Sequence, residues 1–76
     1  MRKVYENVEM IREHRGITQT KMAKDAGISM QRMHRMLTGQ SELTADVLKS
    51  ISRTLIINDM NVFFDDKLTE SVISSS

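Results

Sequence analysis

The strongest constraint on the fold is the segment 17–37, in which two short helical patterns flank one tight turn. Thr18 is a good N-cap, because its hydroxyl accepts a hydrogen bond from a free backbone amide of the first turn. Gly27 supplies the positive-φ residue that ends the first helix, and Ser29 can cap the second. Two helices joined by so short a turn must cross steeply, and the small side chain of Ala23 lets them approach. The segment therefore predicts a helix-turn-helix.

The rest of the chain also divides into short helical patterns. Apolar residues recur at helical spacing, glycines stand where the patterns stop, and proline and cysteine are both absent. Without disulfides or thiolate metal sites, packed helices or a partner must supply the stability of so small a chain. The sequence predicts an all-α fold with helical segments at 2–15, 18–26, 29–38, 44–55 and 58–64. The expected architecture is a compact five-helix bundle.

Charge is distributed unevenly along the 76 residues. Residues 1–54 contain ten Lys and Arg against six Asp and Glu, and residues 55–76 contain one against four. The first part is thus +4 and the second −3, which indicates a basic working surface followed by an acidic segment. We expect a single helix-turn-helix domain over 1–64 and an acidic, serine-rich, partly disordered tail over 65–76.

The order and spacing of the motif residues resemble a known family. The pattern consists of Thr18-Gln19, Ala23, Gly27-Ile28-Ser29, Met33 with Met36, and Gly39. It is similar to the lambda-repressor/Cro-like helix-turn-helix family of phage and bacterial transcription regulators, and the likeness extends over about residues 4–64. Methionine at the two apolar positions of the second motif helix is a departure, because the family more often has Ile, Val or Leu there. The resemblance implies a lambda-repressor-like bundle, and we expect a soluble, cytoplasmic protein of prokaryotic or phage origin.

A helix-turn-helix lays its second helix in the major groove of DNA. Gln31 has the chemistry to pair with adenine, and Arg32 or Arg35 with guanine. The resemblance adds Met30 to the base-facing positions and gives Gln19 a phosphate contact. Thr38, Gln40 and the backbone amides after Gly39 are further phosphate donors. The full set of candidate DNA- or partner-binding residues is Gln19, Lys21, Ser29, Met30, Gln31, Arg32, His34, Arg35, Thr38 and Gln40.

The sequence predicts a small sequence-specific regulator that binds a palindromic double-stranded operator, as a homodimer. The alternative is an antirepressor or co-repressor that binds a cognate phage repressor through the helix-turn-helix surface, because Met30 is expected to be exposed and Glu42 would repel phosphate. An antitoxin-like role that uses the acidic tail is a third possibility. Phe63, Phe64 and Leu68 are the candidate residues of a dimer or heteropartner interface.

Other functional classes lack sequence support. No serine has the setting of a nucleophile, and no glycine-rich phosphate loop is present, so we expect no enzymatic activity and no small-molecule substrate. His14 and His34 have no neighbours at metal-ligand spacing, so neither a metal nor a cofactor is expected. No apolar run has the length of a signal peptide or a membrane span.

Overall fold

The computed structural model describes residues 3–64, which form four α-helices and one 3-10 helix. In chain order these are α1 (Val4–Arg15), α2 (Gln19–Ala26), α3 (Met30–Leu37), α4 (Ala45–Thr54) and the 3-10 helix Met60–Phe64. Helix α2 packs against α3 and α4, whereas α1 packs against α3 and the 3-10 helix. No strand occurs within 3–64, and no helix there is long and apolar enough to cross a membrane.

The prediction of five helices was wrong in its last member. The segment Met60–Phe64 is a 3-10 helix of five residues, which is too short to support the hydrogen-bond ladder of a stable α-helix. The α-helices also begin one residue or two later than predicted, because the predicted ranges included the capping residues. The tail expected over 65–76, with its interface candidate Leu68, lies outside the described residues.

Side-chain and glycine caps set the helix ends as the sequence predicts. Thr18, Ser29 and Thr44 have extended backbones, and each accepts a hydrogen bond from the backbone N–H three residues further along. Gly16 and Gly27 adopt the left-handed conformation immediately after α1 and α2. These caps fix the short turn between α2 and α3, and so the angle at which α3 is presented.

The core follows the predicted apolar stripes of the four α-helices and continues into the segment after α4. The buried apolar residues are Val8, Ile11, Met22, Ala23, Met33, Met36, Leu37, Val47, Leu48, Ile51, Leu55, Ile57 and Phe63. The methionines at the two helix-turn-helix core positions, Met33 and Met36, are buried in this core, where the flexible thioether side chain adapts to its neighbours. One polar residue, Asn7, is fully buried among them, and its Nδ2 donates a hydrogen bond of 2.8 Å to the carbonyl oxygen of Phe63.

The turn after α4 contains Ile56, a residue with an unusual backbone conformation. Ile56 has a φ of +57° and its side chain is 70% exposed, whereas Leu55 and Ile57 on either side are buried. A positive φ is rare for a β-branched residue, because the side chain crowds the backbone. The turn therefore holds an exposed apolar side chain in a strained conformation.

Candidate nucleic-acid interface

Helix α3 has one buried face and one exposed face. Met33, Met36 and Leu37 point into the core. The side chains on the opposite face are exposed, and they are Gln31, Arg32, His34 and Arg35. Met30, the first residue of the helix, is 41% exposed, and its Sδ lies 3.6 Å from the hydroxyl oxygen of Thr20 on α2. The residues of α3 that were predicted to face the groove are thus all exposed.

The exposed face of α3 is positively charged. Arg32 and Arg35 have no ion pair with any residue of the described segment 3–64, and α3 itself contains no carboxylate. Both guanidinium groups are therefore available to guanine edges or to phosphates, which they bind with paired N–H donors.

Gln19 lies at the start of α2, between α1 and α3. Its Nε2 donates a hydrogen bond of 2.9 Å to Glu9 Oε1 on α1, and its Oε1 is 3.2 Å from Nδ1 of His34 on α3. Gln19 is half-buried in this position. The predicted phosphate-contacting glutamine thus also connects α1 to the exposed face of α3.

Arg12 holds Glu9, the α1 residue that accepts the hydrogen bond from Gln19, in place. Its Nε and Nη2 donate to both carboxylate oxygens of Glu9 at 2.6–3.1 Å, and its Nη1 donates to the carbonyl oxygen of Ile17 at 2.8 Å. The hydrogen bond to Glu9 raises the pKa of Arg12, so the guanidinium remains charged. Glu9 is thereby held as a paired carboxylate beside Gln19.

Lys21 lies on a different side of α2 from Gln19. Its Nζ is 3.4 Å from Asp25 Oδ2, and the same oxygen accepts a hydrogen bond of 2.9 Å from the hydroxyl of Thr54 on α4. Lys21 is exposed, but it lies beside α4, and it does not join the cluster formed by Gln19 and α3. The prediction that it assists at the groove-facing surface is not supported by this placement.

The candidate residues Ser29 and Thr38, which flank α3, differ in whether their hydroxyl proton is available for a hydrogen bond to DNA. Ser29 is exposed and accepts from the backbone of Arg32 through its Oγ, which leaves its hydroxyl proton available. Thr38 is also exposed, but its hydroxyl donates to the carbonyl oxygens of His34 and Arg35. Its single proton is thus occupied within α3.

The loop after α3 bears on one expectation. The backbone amides of Gln40 and Ser41 both donate to the carbonyl oxygen of Arg35, at 2.9 and 3.2 Å. They close the end of the helix, so this arrangement does not support the prediction that these amides donate to phosphate. The exposed side chain of Gln40 remains a candidate.

Of the two interface candidates in the 3-10 helix, Phe63 lies in the core and Phe64 lies on the surface. Phe63 is fully buried and accepts the hydrogen bond from Asn7, so the prediction that its side chain forms an interface was wrong. The 3-10 helix packs against α1 and places the Phe63 side chain inside the core. Phe64, the next residue, is 60% exposed and stays a candidate.

Sequence reasoning missed the participation of α1 in the site. Glu9 and Arg12 have the spacing of an ordinary helix-surface ion pair, which by itself indicates only a polar, solvated face of α1. The sequence contains only a weak indication of this contact. One short turn at Gly16 separates α1 from α2, so the last turn of α1 must lie close to Gln19 at the start of α2.

Comparison with known proteins adds one finding. A family model described as the Cro/C1-type HTH DNA-binding domain matches residues 7–58, about two thirds of the chain. No curated protein and no solved structure matches the sequence. The matched range runs from Asn7 on α1 through all of α2, α3 and α4, and it therefore contains the whole cluster around Gln19.

Proposed function

We propose that this protein, which belongs to the Cro/C1-type helix-turn-helix family of DNA-binding domains, is a sequence-specific transcription regulator whose α3 reads the major groove. The observation that carries the proposal is the exposed face of α3. Arg32 and Arg35 project from it without an ion pair to any residue of 3–64, and no carboxylate on the helix opposes them.

The glutamine, the arginines and the methionine of α3 each have a role that follows from their chemistry. Gln31 can donate to and accept from the adenine edge, and the two arginines suit guanine. Met30 has no hydrogen-bonding code for bases, and its contact is with a thymine methyl group. Ser29 and Gln19, which lie at the starts of α3 and α2, contact the flanking phosphates.

The cationic contacts to phosphate are few, because Lys21 is beside α4 and the loop after α3 contains Glu42. Electrostatic attraction to the DNA backbone supplies most of the non-specific affinity of such proteins, so one copy of this domain binds weakly. A homodimer on a palindromic operator compensates, with two α3 helices about 34 Å apart on the same side of the duplex. Exposed Phe64 and Ile56 are the proposed contact residues between copies.

The experiment that tests this function is selection of duplexes from a random-sequence library, followed by titration against salt. The expected result is an enriched palindromic sequence that binds at least tenfold more tightly than a scrambled duplex. The logarithm of its association constant should fall linearly with the logarithm of salt concentration, with a slope of about −0.9 per phosphate contact. Failure to enrich any sequence, with equal affinity for the scrambled duplex, would contradict the proposal.

A second candidate function is favoured by the exposure of Met30. Methionine-rich surfaces adapt to protein partners, and Met30 stands beside Arg32 at the start of α3. In this version the protein is an antirepressor or co-repressor of phage origin that covers the DNA-reading helix of a cognate repressor. Such a complex should form without DNA and should weaken when Met30 or Arg32 is replaced by alanine.

A further inference from the structure

The side-chain contacts between α1, α2 and α3 determine where the proton of His34 resides. They form one continuous series that runs from Arg12 through Glu9 and Gln19 to His34. The donor and acceptor roles along this series follow from the chemistry of its two end groups.

The first step concerns the amide of Gln19. Glu9 is a carboxylate that receives three N–H contacts from Arg12, and an ionised carboxylate only accepts hydrogen bonds. The atom of Gln19 that lies 2.9 Å from Glu9 Oε1 must therefore be the amide nitrogen Nε2. The carbonyl oxygen of the amide then necessarily faces α3.

The second step concerns the imidazole ring. Nδ1 of His34 lies 3.2 Å from Gln19 Oε1, and a carbonyl oxygen has no proton to donate. Nδ1 must therefore carry the proton of this hydrogen bond. A neutral imidazole has one N–H, so Nε2 of His34 bears a lone pair. The side chain is exposed, and no residue of the described segment satisfies that nitrogen.

We propose that Glu9 is a positioning residue that acts through Gln19 to fix His34 as its Nδ1–H tautomer, so that α3 presents Nε2 to DNA as a hydrogen-bond acceptor. An acceptor in the major groove pairs with an exocyclic amino group, which adenine carries at N6 and cytosine at N4. The groove edges of guanine and thymine offer acceptors at the same depth, and the lone pair of Nε2 is repelled by them. His34 thus selects an amino-bearing base, whereas Arg32 and Arg35 select guanine.

The DNA part of this inference rests on the proposed function, but the tautomer is a property of the free protein. The first test is the pair of imidazole ¹⁵N shifts of His34, recorded without DNA at a pH above the titration midpoint found in the same sample. The expected result is a protonated Nδ1 and an unprotonated Nε2. A predominant Nε2–H tautomer in the wild-type protein would overturn the proposal whatever the protein binds.

Two variants test the positioning role. Glu9→Gln supplies an amide that can donate as well as accept, so the Gln19 amide is free to rotate and the Nε2–H tautomer becomes populated. Gln19→Ala removes the acceptor altogether and has the same effect. The matched control is Glu13→Gln, since Glu13 is on the same helix, also lies near Arg12 at 3.7 Å and is 71% exposed. Unchanged ¹⁵N shifts of His34 in both Glu9→Gln and Gln19→Ala would overturn the proposal.

The second test compares base preferences in selected duplexes. At one position of each half-site, the wild-type protein and Glu13→Gln should prefer adenine or cytosine by roughly fivefold, which corresponds to one net hydrogen bond. His34→Ala should lose this preference, and Glu9→Gln should lose most of it while the preferences at other positions are kept. If sequence-specific binding is present but His34→Ala leaves every position unchanged, the acceptor role is wrong and the proposed function stands. If no sequence is selected, the proposed function fails, and the ¹⁵N shifts still decide the tautomer.

Discussion

Gly39 lies directly against the aromatic ring of Tyr5, so that the second residue after α3 contacts the first turn of α1. A Cβ atom built on Gly39 would come within 2.8 Å of both Cζ and Oη of Tyr5. The φ of Gly39 is +83°, in the region that favours glycine. Backbone conformation and space thus both require glycine at this point, and the contact fixes the end of α3 relative to α1.

Replacement of Gly39 by alanine should therefore lower stability more than the same replacement at Gly27. Gly27 has a similar positive φ of +70° but nothing within 4 Å of its Cβ position, so Gly27→Ala should cost about 1–2 kcal/mol from backbone strain alone. Gly39→Ala has a similar strain and must also displace the Tyr5 ring. Urea unfolding of both variants measures the difference. In a Tyr5→Ala background the excess should disappear, and an excess that persists there would refute the role of the ring.

The hydrogen bond from Asn7 to Phe63 joins α1 to the 3-10 helix inside the core. Asn7→Leu should lower the free energy of unfolding by about 1–3 kcal/mol, because the carbonyl oxygen of Phe63 stays buried without that donor. Asn61→Leu is the control, since Asn61 is on the same 3-10 helix but exposed. Equal urea midpoints for the two variants would show that the buried bond contributes nothing.

A pH dependence of stability follows from Asp25. The hydrogen bond from Thr54, together with the nearby Lys21, holds the pKa of Asp25 below its ordinary value. Because the folded-state pKa is the lower one, this contribution is fully present above the unfolded-state pKa of about 3.9 and is lost as pH falls through the folded-state value. Thr54→Val should raise the pKa of Asp25, measured by NMR titration of its carboxyl carbon. It should also reduce the difference in stability between pH 6 and pH 3. An unchanged carboxyl titration in Thr54→Val would contradict the assignment of the cause.

The sequence predicted the helices and the core well because both follow from local patterns. The caps Thr18, Ser29 and Thr44 act within three residues, and the apolar stripes require only helical periodicity. The family resemblance also predicts that α3 is the DNA-reading helix, which stays a prediction, whereas the match over 7–58 confirms the family itself. Each of these signals is contained in a short stretch of sequence.

The features that sequence reasoning missed depend on contacts between distant residues. Glu9 reaches Gln19 ten residues away, and Asn7 reaches Phe63 fifty-six residues away, so no periodicity reveals either contact. Phe63 and Phe64 are equally apolar, and only the 3-10 geometry decides which of them is buried. Such choices are made by tertiary packing, which overrides local preference.

The strained turn at Ile56 offers a gain in stability. Asparagine tolerates a positive φ better than a β-branched residue, and Ile56 is mostly exposed, so Ile56→Asn removes little buried area. The free energy of unfolding should rise by about 1 kcal/mol at a protein concentration where the chain is monomeric. Ile56→Val keeps the strain and should leave stability unchanged. A drop in stability for Ile56→Asn would refute the strain argument.

The same two variants test the proposed contact between copies. If Ile56 lies in a dimer interface, Ile56→Asn should weaken self-association in sedimentation equilibrium while Ile56→Val preserves it. Greater monomer stability together with weaker association would explain why an exposed, strained isoleucine is present at this turn. Unaltered association in Ile56→Asn would remove Ile56 from the proposed interface.

The central prediction about DNA concerns Arg35, which is exposed and without an ion pair to the rest of 3–64. If it binds a guanine edge, Arg35→Ala should cost about 1–3 kcal/mol on the selected operator and relax the preference at a single base position. The salt slope should stay nearly constant, whereas loss of a phosphate contact would weaken all sequences alike and reduce the slope by about 1. Fluorescence anisotropy on selected and scrambled duplexes separates these cases. Arg53→Ala removes the same charge from α4, outside the proposed reading helix, and should preserve base preference. Equal effects of the two substitutions on specific binding would show that net charge, and not α3, governs recognition.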